Sequence, residues 1–160
     1  MKKYIAFDTS NSEIIVCGFN GKTYFEKRMV ASGTEHIMVL INDVLKKLKM
    51  NLDDVEVVGV GVGPGSWTGS RVSVVTAYGL MAGLNNVRVV PFNTFELLSY
   101  NDNDKTGKIY ISKAYANFVY ASVEGSEPII ITYDELKEKY SLLKRIGFEP
   151  FVDETMVKKA

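Results

Sequence analysis

Three observations predict an α/β fold made of two lobes. Three short strand-like runs at the N-terminus give way to segments in which helical and strand periods alternate. A glycine-alternating run, Gly59-Val60-Gly61-Val62-Gly63, empties through Pro64-Gly65 into a helix, and a polar stretch at 101–107 precedes a second set of strand-like runs. Taken in order, Tyr4 to Phe7, Glu13 to Phe19 and Lys22 to Met29 read as strands; Asn20-Gly21 between the last two is a hairpin signal. From Thr34 the period changes. Ile37, Leu40, Ile41, Val44, Leu45 and Leu48 recur at helical spacing up to about Met50, after a start marked by Ser32, Gly33 and Thr34.

A strand from Val55 to Val62 follows, in which every second residue from Gly59 to Gly63 lacks a side chain. One face can therefore be approached closely by backbone, helix or ligand, while Val58, Val60 and Val62 should point into the core. Pro64 and Gly65 allow a sharp turn, after which Thr68 or Ser70 is expected to cap a helix over 69–84 whose free amides could hold an anion. Val87 to Val90 reads as a strand, and Asn93 with Glu96 as a capping-box start for a short helix. Strand, strand, strand, helix, strand, helix, strand, helix is the element order of an actin-like (ASKHA, ribonuclease-H-like) lobe. The expected organisation is a complete N-terminal lobe at 1–100, a linker at 101–107 and a reduced C-terminal lobe at 108–160. In the latter, Ile109 to Ser112, Asn117 to Glu124 and Pro128 to Ile131 read as strands, and Thr132 with Glu135 opens a helix through Tyr140.

Composition narrows the function. In 160 residues, 19 Lys and Arg balance 19 Asp and Glu, so no net positive charge is available to hold a nucleic-acid backbone unaided. Lys137, Lys139, Lys144 and Arg145 read as a solvated helix face or a local basic patch. Cys17 is the one cysteine, which fits a reducing, cytoplasmic setting without disulfides. Asp8 interrupts the N-terminal apolar run at once, so that segment reads as a mature strand, and nothing later reaches membrane-spanning length. His36 is the one histidine and shares no ligand spacing with Cys17, Asp8, Glu13, Glu35, Asp53 or Asp54, so neither a metal site nor a Ser-His triad is expected.

The loop at 63–71 was built for none of the familiar chemistries. It lacks the Gly-Lys-Ser/Thr of a P-loop; Ser66 stands where a dinucleotide fingerprint needs its third glycine; and Pro64 and Thr68 flank Ser66 where a nucleophile elbow needs glycines. Asp8-Thr9-Ser10 ends the first strand where actin-like folds place a phosphate loop, and it reads more simply as a turn leading into a hairpin. The two long helices carry apolar residues on more than one stripe: Met38 and Val39 widen the first, and Gly69, Ser73, Thr76 and Ala77 lie beside Val72, Val75, Gly79 and Ala82 on the second. Such faces pair with another subunit or lie under the protein's own second lobe.

Ile5-Ala6-Phe7-Asp8-Thr9-Ser10, the helix start Glu35-His36, the loop Gly63-Pro64-Gly65-Ser66-Trp67-Thr68-Gly69-Ser70-Arg71 and Ala77-Tyr78-Gly79-Leu80 resemble, in wording and in order, the motifs of the TsaB (YeaZ) family. The resemblance covers residues 3 to 100 and weakens beyond Gly107. It implies a non-catalytic partner of TsaD, acting with the ATPase TsaE to place a threonylcarbamoyl group on adenosine next to the anticodon of tRNA. tRNA would be met only through that complex, no cofactor would be intrinsic, and ATP or ADP would bind only in the complex. The two broad apolar helix faces make a homodimer the expectation for the isolated chain. No catalytic or metal residue is implied. The pairing surface implied is His36, Ile37, Leu40, Ile41, Val44, Gly69, Val72, Ser73, Thr76, Ala77 and Leu80, with Asp8, Thr9, Gly63, Gly65 and Ser66 as a vestigial nucleotide cleft. Ser112-Lys113-Ala114-Tyr115 departs from the family's Asp-Ala-Arg stretch. The competing readings are an actin-like small-molecule kinase, suggested by Asp8-Thr9 and the glycine loop, and a peptidase.

Overall fold

The computed structural model describes residues 2–30, 35–100 and 102–147. Strands β1 (Tyr4–Asp8), β2 (Glu13–Phe19) and β3 (Tyr24–Val30) lead into helix α1 (Ile37–Leu48), followed by β4 (Val57–Gly61), α2 (Trp67–Gly83), β5 (Arg88–Phe92) and α3 (Thr94–Ser99). The five strands form one sheet in the order β3-β2-β1-β4-β5. β1 runs antiparallel to β2 and parallel to β4, and the hairpin at Asn20-Gly21 joins β2 to β3. The second lobe comprises β6 (Lys108–Lys113), β7 (Phe118–Val123), β8 (Ile129–Thr132), α4 (Tyr133–Lys139) and β9 (Lys144–Gly147), with sheet order β8-β7-β6-β9.

The second sheet repeats the first. β6 is antiparallel to β7 and parallel to β9, as β1 is to β2 and β4, and in both lobes a helix joins the third strand to the fourth. This is the actin-like α/β plan, with the copy stopping at its fourth strand among the described residues. β9 was not expected, because Lys144 and Arg145 read as part of a charged face; they lie in β9, and only Lys137 and Lys139 belong to α4. The expected helix start at Ser32 to Thr34 lies outside the described residues. A short 3-10 turn, Leu52–Asp54, occupies the approach to β4, and both capping boxes form as expected, at Asn93 with Glu96 and at Thr132 with Glu135.

Register explains where the core sits. Ile5 pairs with Gly18 and Val58, and Phe7 with Val16 and Val60, so these residues share one sheet face. Both long helices cover that face: Leu40, Ile41, Val44 and Leu48 of α1 and Ala77 and Leu80 of α2 join Ile5, Phe7, Val16, Val58 and Val60 in one buried cluster. Each such aliphatic side chain contributes about 1.5–3 kcal/mol by leaving water. Val62 does not belong to it. The strand ends at Gly61, and Val62 is 43% exposed, contrary to the alternation. The second lobe has its own core of Ile109, Ile111, Val119, Ala121 and Leu136. Among the described residues, no helix is long and apolar enough to cross a membrane.

Candidate functional site

The C-terminal ends of β1, β4 and β6 converge between the lobes, and the glycines of the central run serve that junction. A Cβ on Gly59 would lie 2.7 Å from Ala6 Cβ, and one on Gly61 would lie 2.5 Å from Asp8 Cγ. Further along, a Cβ on Gly65 would meet Ser10 O at 2.4 Å, and one on Gly69 would meet Thr9 O at 1.9 Å. The bare face is therefore filled by strand β1 and the turn that follows it. Gly63 adopts φ +89, and its carbonyl accepts the Thr94 amide at 2.8 Å, which ties α3 to the same turn.

Several polar groups at this junction are engaged with one another. Thr9 N–H donates to Ser73 Oγ at 2.9 Å, and Thr9 Oγ1 donates to Gly69 O at 2.6 Å, which leaves Ser73 Oγ to donate to Thr9 Oγ1 at 2.8 Å. Ser10 N–H donates to Asp8 Oδ1 at 2.8 Å, Asn11 Nδ2 donates to Asp8 Oδ2, and Ser66 N–H donates to Ser10 O at 2.6 Å. The cap of α2 is Ser66, whose Oγ accepts the Gly69 amide, and not Thr68 or Ser70. A buried polar group needs a partner, and these have found theirs in one another. No Lys or Arg stands among these partners.

Ser112, set aside in the sequence for departing from a family pattern, is where the second lobe closes on this knot. Its Oγ lies 2.7 Å from Pro64 O and 3.1 Å from Asn11 Oδ1, so its single proton is shared between two acceptors of the first lobe. The residue is 2% exposed. Ser112→Ala is expected to cost about 1–2 kcal/mol and to speed amide exchange at 10–12; unchanged midpoint and exchange would refute the bridge. Farther along this lobe, Lys108 and then Tyr110 hold the Asp102 carboxyl below the usual carboxylate range. Burial, reinforced by that hydrogen bond, pushes the Tyr110 phenol up to about 12.

The structure corrects the expected pairing surface. Ile37, Leu40, Ile41 and Val44 are at most 4% exposed and point into the sheet, while Gly69, Ser73, Ala77 and Leu80 line the buried side of α2. Val72 and Thr76 are half-buried, and His36 alone of that set is exposed, beside Glu35. The physical reason is periodicity: the best-defined apolar stripe on a helix faces its own core, which leaves a second, weaker stripe opposite. On α2 that second stripe carries Trp67, Val75, Tyr78 and Met81, which are 41–72% exposed; on α1 it carries Met38 and Val39, at 49% and 52%. The Arg71 guanidinium lies 4.0 Å from the centre of the Trp67 ring. Trp67 and Arg71 were missed as a pair, although their four-residue spacing on a helix was a usable signal. Among the described residues no group of three or more His, Cys, Asp or Glu could hold a metal ion.

Comparison with known proteins agrees with this architecture. The family model for TsaD, tRNA N6-adenosine threonylcarbamoyltransferase, matches residues 30–132. The tRNA threonylcarbamoyladenosine biosynthesis protein TsaB of Buchnera aphidicola subsp. Baizongia pistaciae is 27% identical, over 91% of this chain and 72% of its own length. The protein of the same description from Haemophilus influenzae is 30% identical, over 59% of this chain and 41% of its own length. YeaZ from Pseudomonas aeruginosa superposes with a TM-score of 0.67 at 18% identity, covering 82% of this chain and 68% of that one. The chain belongs to the TsaD family; in sequence it is similar to proteins named TsaB, and in fold to YeaZ.

Proposed function

We propose that this chain is a non-catalytic subunit in the formation of threonylcarbamoyladenosine next to the anticodon of tRNA, the partner of a TsaD-like catalytic subunit. The observation that carries the reading is the outward stripe of α2. Trp67, Val75, Tyr78 and Met81 lie on the side of the helix away from its own core, where a monomer gains nothing from apolar residues. The names of the curated relatives supply the pathway. In this reading a TsaE-like ATPase completes the complex, tRNA is met only through it, and ATP or ADP is held only there. The isolated chain pairs with itself through the same stripe, in the cytoplasm.

The test is size-exclusion chromatography of the purified chain with its TsaD-like counterpart. A stable complex is expected, and Val75→Glu is expected to weaken it about a hundredfold while leaving the melting temperature of the chain unchanged, since Val75 is already 69% exposed. No complex at micromolar concentrations would refute the proposal. The kinase reading predicts instead that the chain alone binds ATP with magnesium, which calorimetry would detect.

A further inference from the structure

A cavity of about 360 Å³ opens beside the start of α2, and its walls come from both lobes: Trp67, Ser70, Arg71 and Val75 of α2, Pro64 before it, and Tyr120 of β7. Register places Tyr120 beside Ser112, on the face of the second sheet turned toward the first lobe. The walls are mostly apolar, and two of their polar groups are already in use. Ser70 Oγ donates to Ser66 O, and Pro64 O accepts from Ser112. Arg71 is the single charged residue of the lining. Its guanidinium is held over the Trp67 ring, and among the described residues no carboxylate pairs with it. A stacked guanidinium keeps its in-plane donors free for a planar, two-point bond to a carboxylate.

From this combination we infer that the cavity is the anchor site of the catalytic-subunit partner. It receives one large apolar side chain, aromatic or branched, with an Asp or Glu carboxylate of the same segment bonded to Arg71. Charge complementarity selects this occupant, because an apolar walled site with one unpaired cation at its rim disfavours a basic or uncharged segment. The inference rests on the partner reading given above and adds that docking spans both lobes. Binding would then depend on the second lobe as well as on the helix face.

The experiment is titration calorimetry of the full chain with its TsaD-like counterpart, using variants at the exposed Trp67 and Arg71 and the half-buried Tyr120, with a thermal melt of each as a folding control. Relative to the wild type, Arg71→Glu is expected to weaken binding about a hundredfold and Trp67→Ala about tenfold, with Arg71→Lys in between because it keeps charge but loses the planar fork. Tyr120→Ala, on the other lobe, is expected to weaken binding about fivefold. Wild-type binding that Arg71→Glu and Tyr120→Ala leave within about twofold, while Tyr78→Glu, on the stripe but outside the cavity, weakens it strongly, would overturn this inference alone. Absence of wild-type binding would overturn the partner reading and this inference with it.

Discussion

Gly69→Ala is expected to destabilise the chain by about 3 kcal/mol or more, whereas Gly79→Ala, ten residues along the same helix, is expected to stabilise it by up to about 1 kcal/mol. Both replace glycine by the best helix former, so propensity alone would make both favourable. What separates them is the neighbour. At Gly69 the added methyl would lie 1.9 Å from Thr9 O, 2.8 Å from Thr9 C and 3.0 Å from Ser10 Cα, while at Gly79 nothing lies within 4 Å. Thr9 cannot yield cheaply, because its N–H and its hydroxyl are bonded to Ser73 and Gly69 of the same helix. Urea midpoints measured at constant m-value test the pair; equal midpoints for the two variants would show that α2 does not sit on the β1 turn as described.

Ile41→Glu is expected to cost about 4 kcal/mol or more at neutral pH, as lost apolar burial and an unpaired buried carboxylate combine. Ile41 is 1% exposed among Ile5, Phe7 and the other members of the first-lobe core. The penalty has a pH signature with a definite sign. A carboxyl in that site has its folded pKa raised above the unfolded value, so the folded state gains relative to the unfolded one as pH falls and the group takes up its proton. Chemical denaturation at neutral and at mildly acidic pH checks both parts. A variant as stable as the wild type would place Ile41 at the surface and restore it to the partner stripe.

These contrasts show how far the chain could be read before its fold was seen. The three N-terminal strands, both long helices and the two capping boxes were legible because each depends on residues within a few positions of one another. The order of elements led to the actin-like plan, and Ser112 and the motif loop were both named. The roles were harder. β9 was hidden because Lys144-Arg145-Ile146-Gly147 has no alternation of its own and becomes a strand by pairing with β6. The capping residue moved from Thr68 or Ser70 to Ser66 because the turn at Gly63 and Pro64 ends sooner than local propensity indicates.

By itself the sequence determined the order of the strands and helices up to α4, the absence of a P-loop lysine, a second histidine or any ligand spacing, and the presence of two helices too apolar for one face each. Only the tertiary structure decided which stripe of those helices is spent inside. Ile37, Leu40, Ile41 and Val44 go to the sheet, and Trp67, Val75 and Tyr78 are left outside. It also decided what the bare glycine face is for. A glycine records that something comes close, but the identity of that something, here the Asp8-Thr9-Ser10 turn brought alongside by parallel pairing of β1 with β4, is a long-range contact that no local pattern carries.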